Sequence, residues 1–480
     1  MLLCVSRRRL APVTMQSEAS ARFPFESAMS AAAFVSPDAI RSLFAQAMSR
    51  MYRAEVPLYG DLIELVGRIN ASTLAADPVL EAQLQRTDDR ARLEEERHGA
   101  IRVGTAAELA MLRRLFAVMG MHPVGYYDLS VAGVPVHSTA FRPTQARALA
   151  ANPFRVFTSL LRLELIEDAA LRQRAADILS RRRIFTDAAV ALIEQAERDG
   201  GLGGEDAARF VAEALETFRW HSDATVDLQT YQELQDAHRL IADVVSFRGP
   251  HINHLTPRTL DIDAAQAAMI AQGMAAKAVI EGPPRRACPI LLRQTSFKAL
   301  EEPVHFPRNG GAEAGTHTAR FGEIEQRGLA LTPKGRALYD QLLAQARDTD
   351  GAGSSGEDYA GRLQAVFAGF PDDAATLRRE GLGYFRYQLT DAGRAAARGE
   401  LSVDALIQAG WATADPIIYE DFLPVSAAGI FQSNLGGGEQ RAYAAHANRD
   451  AFQAALGAPV HDEFALYEAL QADSLAALRA

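Results

Sequence analysis

Cysteine is almost absent: Cys4 and Cys288 are the only two in 480 residues. That leaves no disulfide framework and no thiolate zinc module, and it points to a reducing compartment. Long apolar runs are missing as well. No stretch approaches the roughly twenty apolar residues that span a bilayer. The opening "MLLCVSRRRLAPV" has too short an apolar run for a signal peptide, with its arginines on the wrong side. A soluble, cytoplasmic protein without a membrane partner is therefore expected. Basic residues are not in excess either, since 50 Lys and Arg face 60 Asp and Glu for a net charge of −10. This balance argues against a nucleic-acid or anionic-membrane surface, though it leaves room for a local basic pocket that takes an acidic metabolite. Gly-x-Ser-x-Gly, reactive-cysteine and His-Glu-x-x-His signatures are all lacking. "GGLGGED" and "GGG" lack a phosphate-loop lysine and read as linkers.

What is present suffices for a large core, because 48% of residues are hydrophobic. The length fits two or three domains or one elaborated domain. Residues 1–35 read as a disordered overhang. Order is expected from "SPDAIRSLFAQAMSRMY", with Ser36 as cap and Pro37 at the first helical position. "GAIRV" reads as a strand. "TAAELAMLRRLFAVMG" follows as a helix with a Thr105/Glu108 capping box, ending at Gly120. "PVGYYDLSV", "VPVHSTAFRP" and "FRVFTSLLRLELI" then read as strands. Residues 166–245 carry helical patterning. A second β-α-β-β-β order follows: "HINHLTPRTL" as strand, "DAAQAAMIAQGMAAKAVI" as a helix capped by Asp263, then "CPILLRQTSFKAL", "EPVHFP" and "TARFGEIEQRG" as strands. Residues 331–480 look mixed, with a flexible "DGAGSSGED" and an apolar "EDFLPVSAAGIFQSNL" expected to pack on the core.

The two units share a His-x-x-x-Arg echo in their first strands: His98 with Arg102, and His254 with Arg258. Residues four apart on a strand face one side, so each unit offers an imidazole and a guanidinium together. His251 and His254 are an odd step apart and face opposite sides, so one metal would not take both. The echo favours His254 as the inward one. Ordinary strand histidines remain the bland alternative on spacing alone. Glu323 and Glu325 alternate in "RFGEIEQRG" and share a face. Two histidines and a carboxylate would form the open facial triad suited to Fe(II) and oxygen chemistry, whereas Glu323 could equally be a surface carboxylate. Arg102 could hold a substrate carboxylate or pair with the "EEE" run at 94–96. His305 and His317 are candidates for outer groups around the site, and Trp220 and His221 for packing.

"RFGEIEQRG" is similar to the ligand-bearing final strand of 4-hydroxyphenylpyruvate dioxygenase and hydroxymandelate synthase. The repeated modules resemble the vicinal-oxygen-chelate superfamily. Together with "ERHGAIRVGT", "HINHLTPRTLDID" and "FLPVSAAGIFQSNL", that block resembles the bacterial 2-oxoadipate dioxygenase/decarboxylase family, also called hydroxyglutarate synthase. The resemblance covers the chain from about residue 36 onward. It implies an α+β fold in which repeated β-α-β-β-β modules form a curved mixed sheet around a metal site. The implied layout is one catalytic domain over 36–480: a module at about 95–165, a helical insertion at 166–245, a second module at 249–328, and a mixed region at 331–480. It further implies Fe(II) held by His98, His254 and Glu323, and substrate contacted by His98, Arg102 and Val425. The implied reaction turns 2-oxoadipate and O2 into D-2-hydroxyglutarate and CO2 in lysine catabolism, with no separate 2-oxo acid co-substrate. Two other classes stand beside it: a glyoxalase-like metal-dependent lyase or isomerase, and a non-catalytic binding protein with a degenerate site.

Overall fold

Ser36 accepts a hydrogen bond from the Ala39 amide and opens the first helix, Pro37–Glu55, at the expected residue. The computed structural model describes residues 34–348, 356–396, 401–423 and 442–479. Residues 1–33 of the overhang expected at 1–35, residues 350–355 of the flexible "DGAGSSGED" at 350–358, the glycine turn at 436–438 and Val425 lie outside the described residues. Of "EDFLPVSAAGIFQSNL", only Glu420 to Leu423 are described, and all four are buried.

The fold is α+β, with a mixed sheet at its centre. β1 (Arg97–Val103) leads into the helix Ala106–Val118, whose Thr105/Glu108 capping box is fully formed. β2 (His122–Asp128), β3 (Val136–Arg142) and β4 (Arg155–Leu161) follow, and the sheet order is β2-β3-β4-β1-β5, with β5 at His254–Pro257. β1 runs parallel to β4 and antiparallel to β5, pairing His98 with Thr256 and Ala100 with His254. An Arg258–Glu325 bridge, with the Thr259 amide donating to the Glu325 carbonyl at 2.7 Å, carries the sheet on to β9 (Glu323–Arg327). β9 pairs antiparallel with β6 (Leu292–Ser296), and a further bridge joins Gln294 to Glu281.

Alternation along β1 divides the interior. Ile101 and Val103 enter one apolar cluster, shared with Phe44, Leu112 and Phe116. Ala100 joins the other, with Phe157 and Ala140. Each large side chain so buried contributes about 1.5–3 kcal/mol. His98 and Arg102 sit on the Ala100 face, as strand periodicity requires. Residues 166–245 are occupied mainly by five helices, from Ala169–Ser180 to Arg239–Val245.

Four expectations need correction. The helix after β5 spans Ile262–Ala271 and is capped by Asp261, not Asp263. Asp261 holds extended backbone angles and accepts from the Ala264 amide, while Asp263 is drawn into a two-pronged pair with Arg293. That helix stops well short of Ile280, because residues 276 and 281 are needed for bridges to 297 and 294. The ladder covers only four residues of "HINHLTPRTL". Finally, β7 (Glu301–Arg308) and β8 (Gly311–Thr318) form a hairpin, and β8 was not expected. Its two-residue turn, Asn309-Gly310, was the available signal, with Gly310 at φ +88°. β8 escapes a hydrophobic reading because it is small, polar and largely exposed. The remaining two strands, β10 (Phe385–Leu389) and β11 (Ala412–Pro416), pair with each other.

Candidate metal centre

Three neighbouring strands each deliver one donor. His98 comes from β1, His254 from β5 and Glu323 from the first position of β9. Glu323 Oε1 lies 3.2 Å from His98 Nε2 and 3.8 Å from His254 Nε2. The imidazole rings stand nearly perpendicular, with centroids 5.3 Å apart. Each donor is 1% exposed or less. A glycine explains how β9 ends so close to its neighbours: a Cβ on Gly328 would stand 2.2 Å from the Pro289 carbonyl carbon.

The trio is a group that could hold a cation. His98 Nε2, both ring nitrogens of His254, and Glu323 Oε2 are buried with no hydrogen-bond partner. Buried polar atoms are normally satisfied, and an unsatisfied atom on each of three residues, with one potential ligand atom per residue within 4.8 Å of the others, fits a metal ion. Burial pushes the His254 imidazole down to about 4, against the pull of Glu323, so it is a neutral donor at pH 7. Burial would raise the Glu323 carboxyl, but His254 and His98 outweigh it and hold the group anionic. Two imidazoles and one carboxylate suit a divalent transition metal and leave coordination positions open.

Surrounding side chains fix these donors. Glu323 Oε1 accepts from Gln294 Nε2 at 2.8 Å and from Thr256 Oγ1 at 3.1 Å. Glu325 Oε2 lies 2.9 Å from His98 Nδ1, which would leave Nε2 free for a metal. Burial alone would raise the Glu325 carboxyl, yet Arg327 and His98 hold it down to about 2. Phe422 packs edge-on against His98 and Phe321 lies against His254, so water is kept from both imidazoles. Glu325→Gln is expected to weaken metal binding about 10–100-fold. Titration of the apo-protein measures this, and unchanged affinity would refute the positioning role.

Arg102 is on the His98 face, as expected, but its partner is not the acidic run at 94–96. Arg102 Nη1 meets Asp243 Oδ2 at 2.8 Å. Both line a cavity of about 750 Å³ together with Arg239, Lys277, Lys298 and Phe321. Phe321 both lines the cavity and packs against His254. Burial pushes the Lys277 ammonium down to about 8. Four basic side chains line this cavity with one carboxylate, Asp243, in a chain of net charge −10.

The other half of the His-x-x-x-Arg echo diverges. Arg258 Nη1 meets Glu96 Oε2 at 2.9 Å, inside a buried charge cluster. Antiparallel pairing of β1 with β5 explains it. Arg102 and Arg258 stand six residues apart along the ladder, roughly 20 Å by strand rise. One arginine therefore reaches the cavity and the other the far end of the site. His251 is turned away from the trio and joins Asp243 and His317 in a second group. His305 is exposed and meets Asp223. Trp220 packs on His251 and Phe247, the packing role expected of it. Sequence reasoning missed Asp243, Lys277 and Arg239. Asp243 did leave a trace, as the lone acid in the buried run "LIADVV".

A family model described as 2-oxoadipate dioxygenase/decarboxylase matches residues 44–434. The chain belongs to that family. A relative in Pseudomonas putida, named 2-oxoadipate dioxygenase/decarboxylase, is 61% identical over 450 residues, covering 92% of this chain and 97% of its own. One of the same name in Escherichia coli is 59% identical over 437 residues, covering 90% and 96%. Among solved structures, hydroxyglutarate synthase from Pseudomonas putida in complex with 2-oxoadipate superposes with a TM-score of 0.87. It is 58% identical, over 93% of this chain and 98% of that one. Membership in the family accords with the residues that suggested it. No described helix is long and apolar enough to cross a membrane.

Proposed function

We propose that this chain is an Fe(II)-dependent dioxygenase/decarboxylase that converts 2-oxoadipate and O2 to D-2-hydroxyglutarate and CO2. The observation that carries the proposal is the convergence of His98, His254 and Glu323, each with a buried polar atom left unsatisfied. Family membership and the names of the relatives supply the substrate. The atoms balance, since the six-carbon keto diacid gains both oxygens and divides into a five-carbon hydroxy diacid and CO2. Ferrous iron held by the trio would supply the open positions at which a 2-oxo acid and O2 meet.

The chain's own residues do the rest. Arg102 is suited to hold a substrate carboxylate beside the trio, with the basic cavity wall drawing in the dianion. His98 is itself one of the trio and shares β1 with Arg102, and we assign it a substrate contact as well. Phe321 and Phe422 exclude bulk water, which would otherwise quench oxidising chemistry. Val425 is the remaining proposed substrate contact. A cytoplasmic enzyme of lysine catabolism is the setting that accords with this substrate.

We further read the sheet as two copies of one module within a single catalytic domain. The order β2-β3-β4-β1 is mirrored by Glu281-β6-β9-β5, with β7 and β8 inserted as a hairpin. Oxygen dependence is the deciding test. With Fe(II) and 2-oxoadipate, one CO2 and one 2-hydroxyglutarate are expected per O2 consumed, and none under anaerobic conditions. Product formation without oxygen would instead favour a lyase or isomerase.

A further inference from the structure

Asp243 is buried among groups that all point toward it. Its Oδ2 accepts from Arg102 Nη1 at 2.8 Å. Its Oδ1 lies 3.0 Å from His317 Nε2 and 3.4 Å from His251 Nε2. Tyr231 Oη meets His317 Nδ1 at 2.8 Å, and the Trp220 ring packs against both imidazoles. Burial would raise the Asp243 carboxyl, but His251, His317 and Arg102 hold it well below the usual carboxylate range. Burial keeps His251 below its ordinary value, so at pH 7 that imidazole acts as a hydrogen-bond donor and Arg102 supplies the charge.

Two histidines and an aspartate could also describe a second metal site. The contrast with the first trio decides between the readings. There His98 Nε2, both His254 nitrogens and Glu323 Oε2 lack partners, whereas here none of the His251, His317 or Asp243 side-chain atoms is buried without a partner. Asp243 and His317 are already hydrogen-bonded, and one Asp243 oxygen is committed to a guanidinium.

We propose that Asp243, braced by His251 and His317, is the positioning residue that fixes Arg102 in the cavity and so sets recognition of the substrate's second carboxylate. This rests on the proposed role of Arg102. An arginine on a long flexible stem selects poorly unless its plane is held, and an aspartate on one edge holds it. The helical insertion, which contributes Asp243 from Arg239–Val245, would thereby tune a site whose metal donors come from strands.

The test compares steady-state kinetics, Fe(II) content and metal stoichiometry of the full-length enzyme with those of Asp243→Asn, Arg102→Ala and the double variant. For Asp243→Asn, KM for 2-oxoadipate should rise at least tenfold, with kcat within threefold and iron content unchanged. The double variant should be no worse than Arg102→Ala, within threefold in kcat/KM. His317→Gln, as a milder perturbation, should raise KM threefold to tenfold. If Arg102→Ala raises KM but Asp243→Asn and His317→Gln do not, the positioning role is wrong while the role of Arg102 stands. If Arg102→Ala leaves KM unchanged, both fail. Multiplicative effects in the double variant would mean independent action and overturn the proposal. So would a second equivalent of Zn(II) bound by the wild type and lost in Asp243→Asn.

Discussion

Replacing His98, His254 or Glu323 by alanine should lower turnover of 2-oxoadipate by more than about 10³-fold, about 4 kcal/mol of barrier. Each substitution removes one of three donors, and two remaining donors give neither the affinity nor the geometry of three. Activity alone would not separate a lost metal from a lost fold, so Fe(II) titration of the apo-protein belongs beside it. Each variant should keep its unfolding midpoint within a few degrees and bind Fe(II) far more weakly. Stability could even rise, since each alanine removes buried, unsatisfied polar atoms. His251→Ala is the control for strand face. It should retain iron and stay well above the three donor variants in turnover, because its side chain belongs to the Asp243 group. Normal iron binding by all three donor variants would sink the site.

The clustering of His98, His254 and Glu323 was readable because it obeys a local rule. Strand periodicity separates His251 from His254, and the His-x-x-x-Arg echo selects the inward one without any long-range information. Glu323 was legible through the pattern around it rather than its spacing, since nothing local distinguishes it from a surface carboxylate. The direction of pairing was not legible. Whether β1 and β5 run parallel or antiparallel decides if Arg102 and Arg258 meet or lie at opposite ends. That is fixed by long-range packing. Asp243, Arg239 and Lys277 come from a helical segment and a connection with no periodic relation to β1. Only the folded chain brings them to one cavity. The cap at Asp261 was missed for a related reason, because Asp261 and Asp263 are equivalent as caps until Arg293 claims the second.

The second large effect lies at the other end of the same sheet face. Glu96 is two residues before His98 and opposite Arg258, where it receives Arg258 and Arg155 at 2.9 Å each and Arg92 at 3.4 Å. Arg92 and Arg155 also hold Glu420, and Arg327 grips Glu325 at 2.8 Å through both oxygens. With Asp89 on Arg92, four arginines face four carboxylates, and nearly every member is out of water. Such a cluster is worth little against an apolar core of the same volume, but breaking one member leaves an uncompensated buried charge. Glu96→Gln should therefore cost about 3–5 kcal/mol in a urea titration at pH 7.

The pH dependence follows from the sign of the shift. Burial would raise the Glu96 carboxyl, but Arg92, Arg258 and Arg155 overcome it and hold it well below the ordinary range. Its folded-state value is thus depressed. The stability it contributes is complete above the unfolded value near 4.3 and declines as pH falls below that. The wild type and Glu96→Gln should accordingly converge in acid, and a gap independent of pH would show that the loss is steric. Combining Glu96→Gln with Arg258→Met should recover part of the deficit, with a coupling of roughly 0.5–3 kcal/mol, because it removes one of the stranded cations. The cluster touches the donors at one point only, Glu325 against His98. Glu96→Gln should thus lower stability more than iron affinity, and Glu325→Gln should do the reverse.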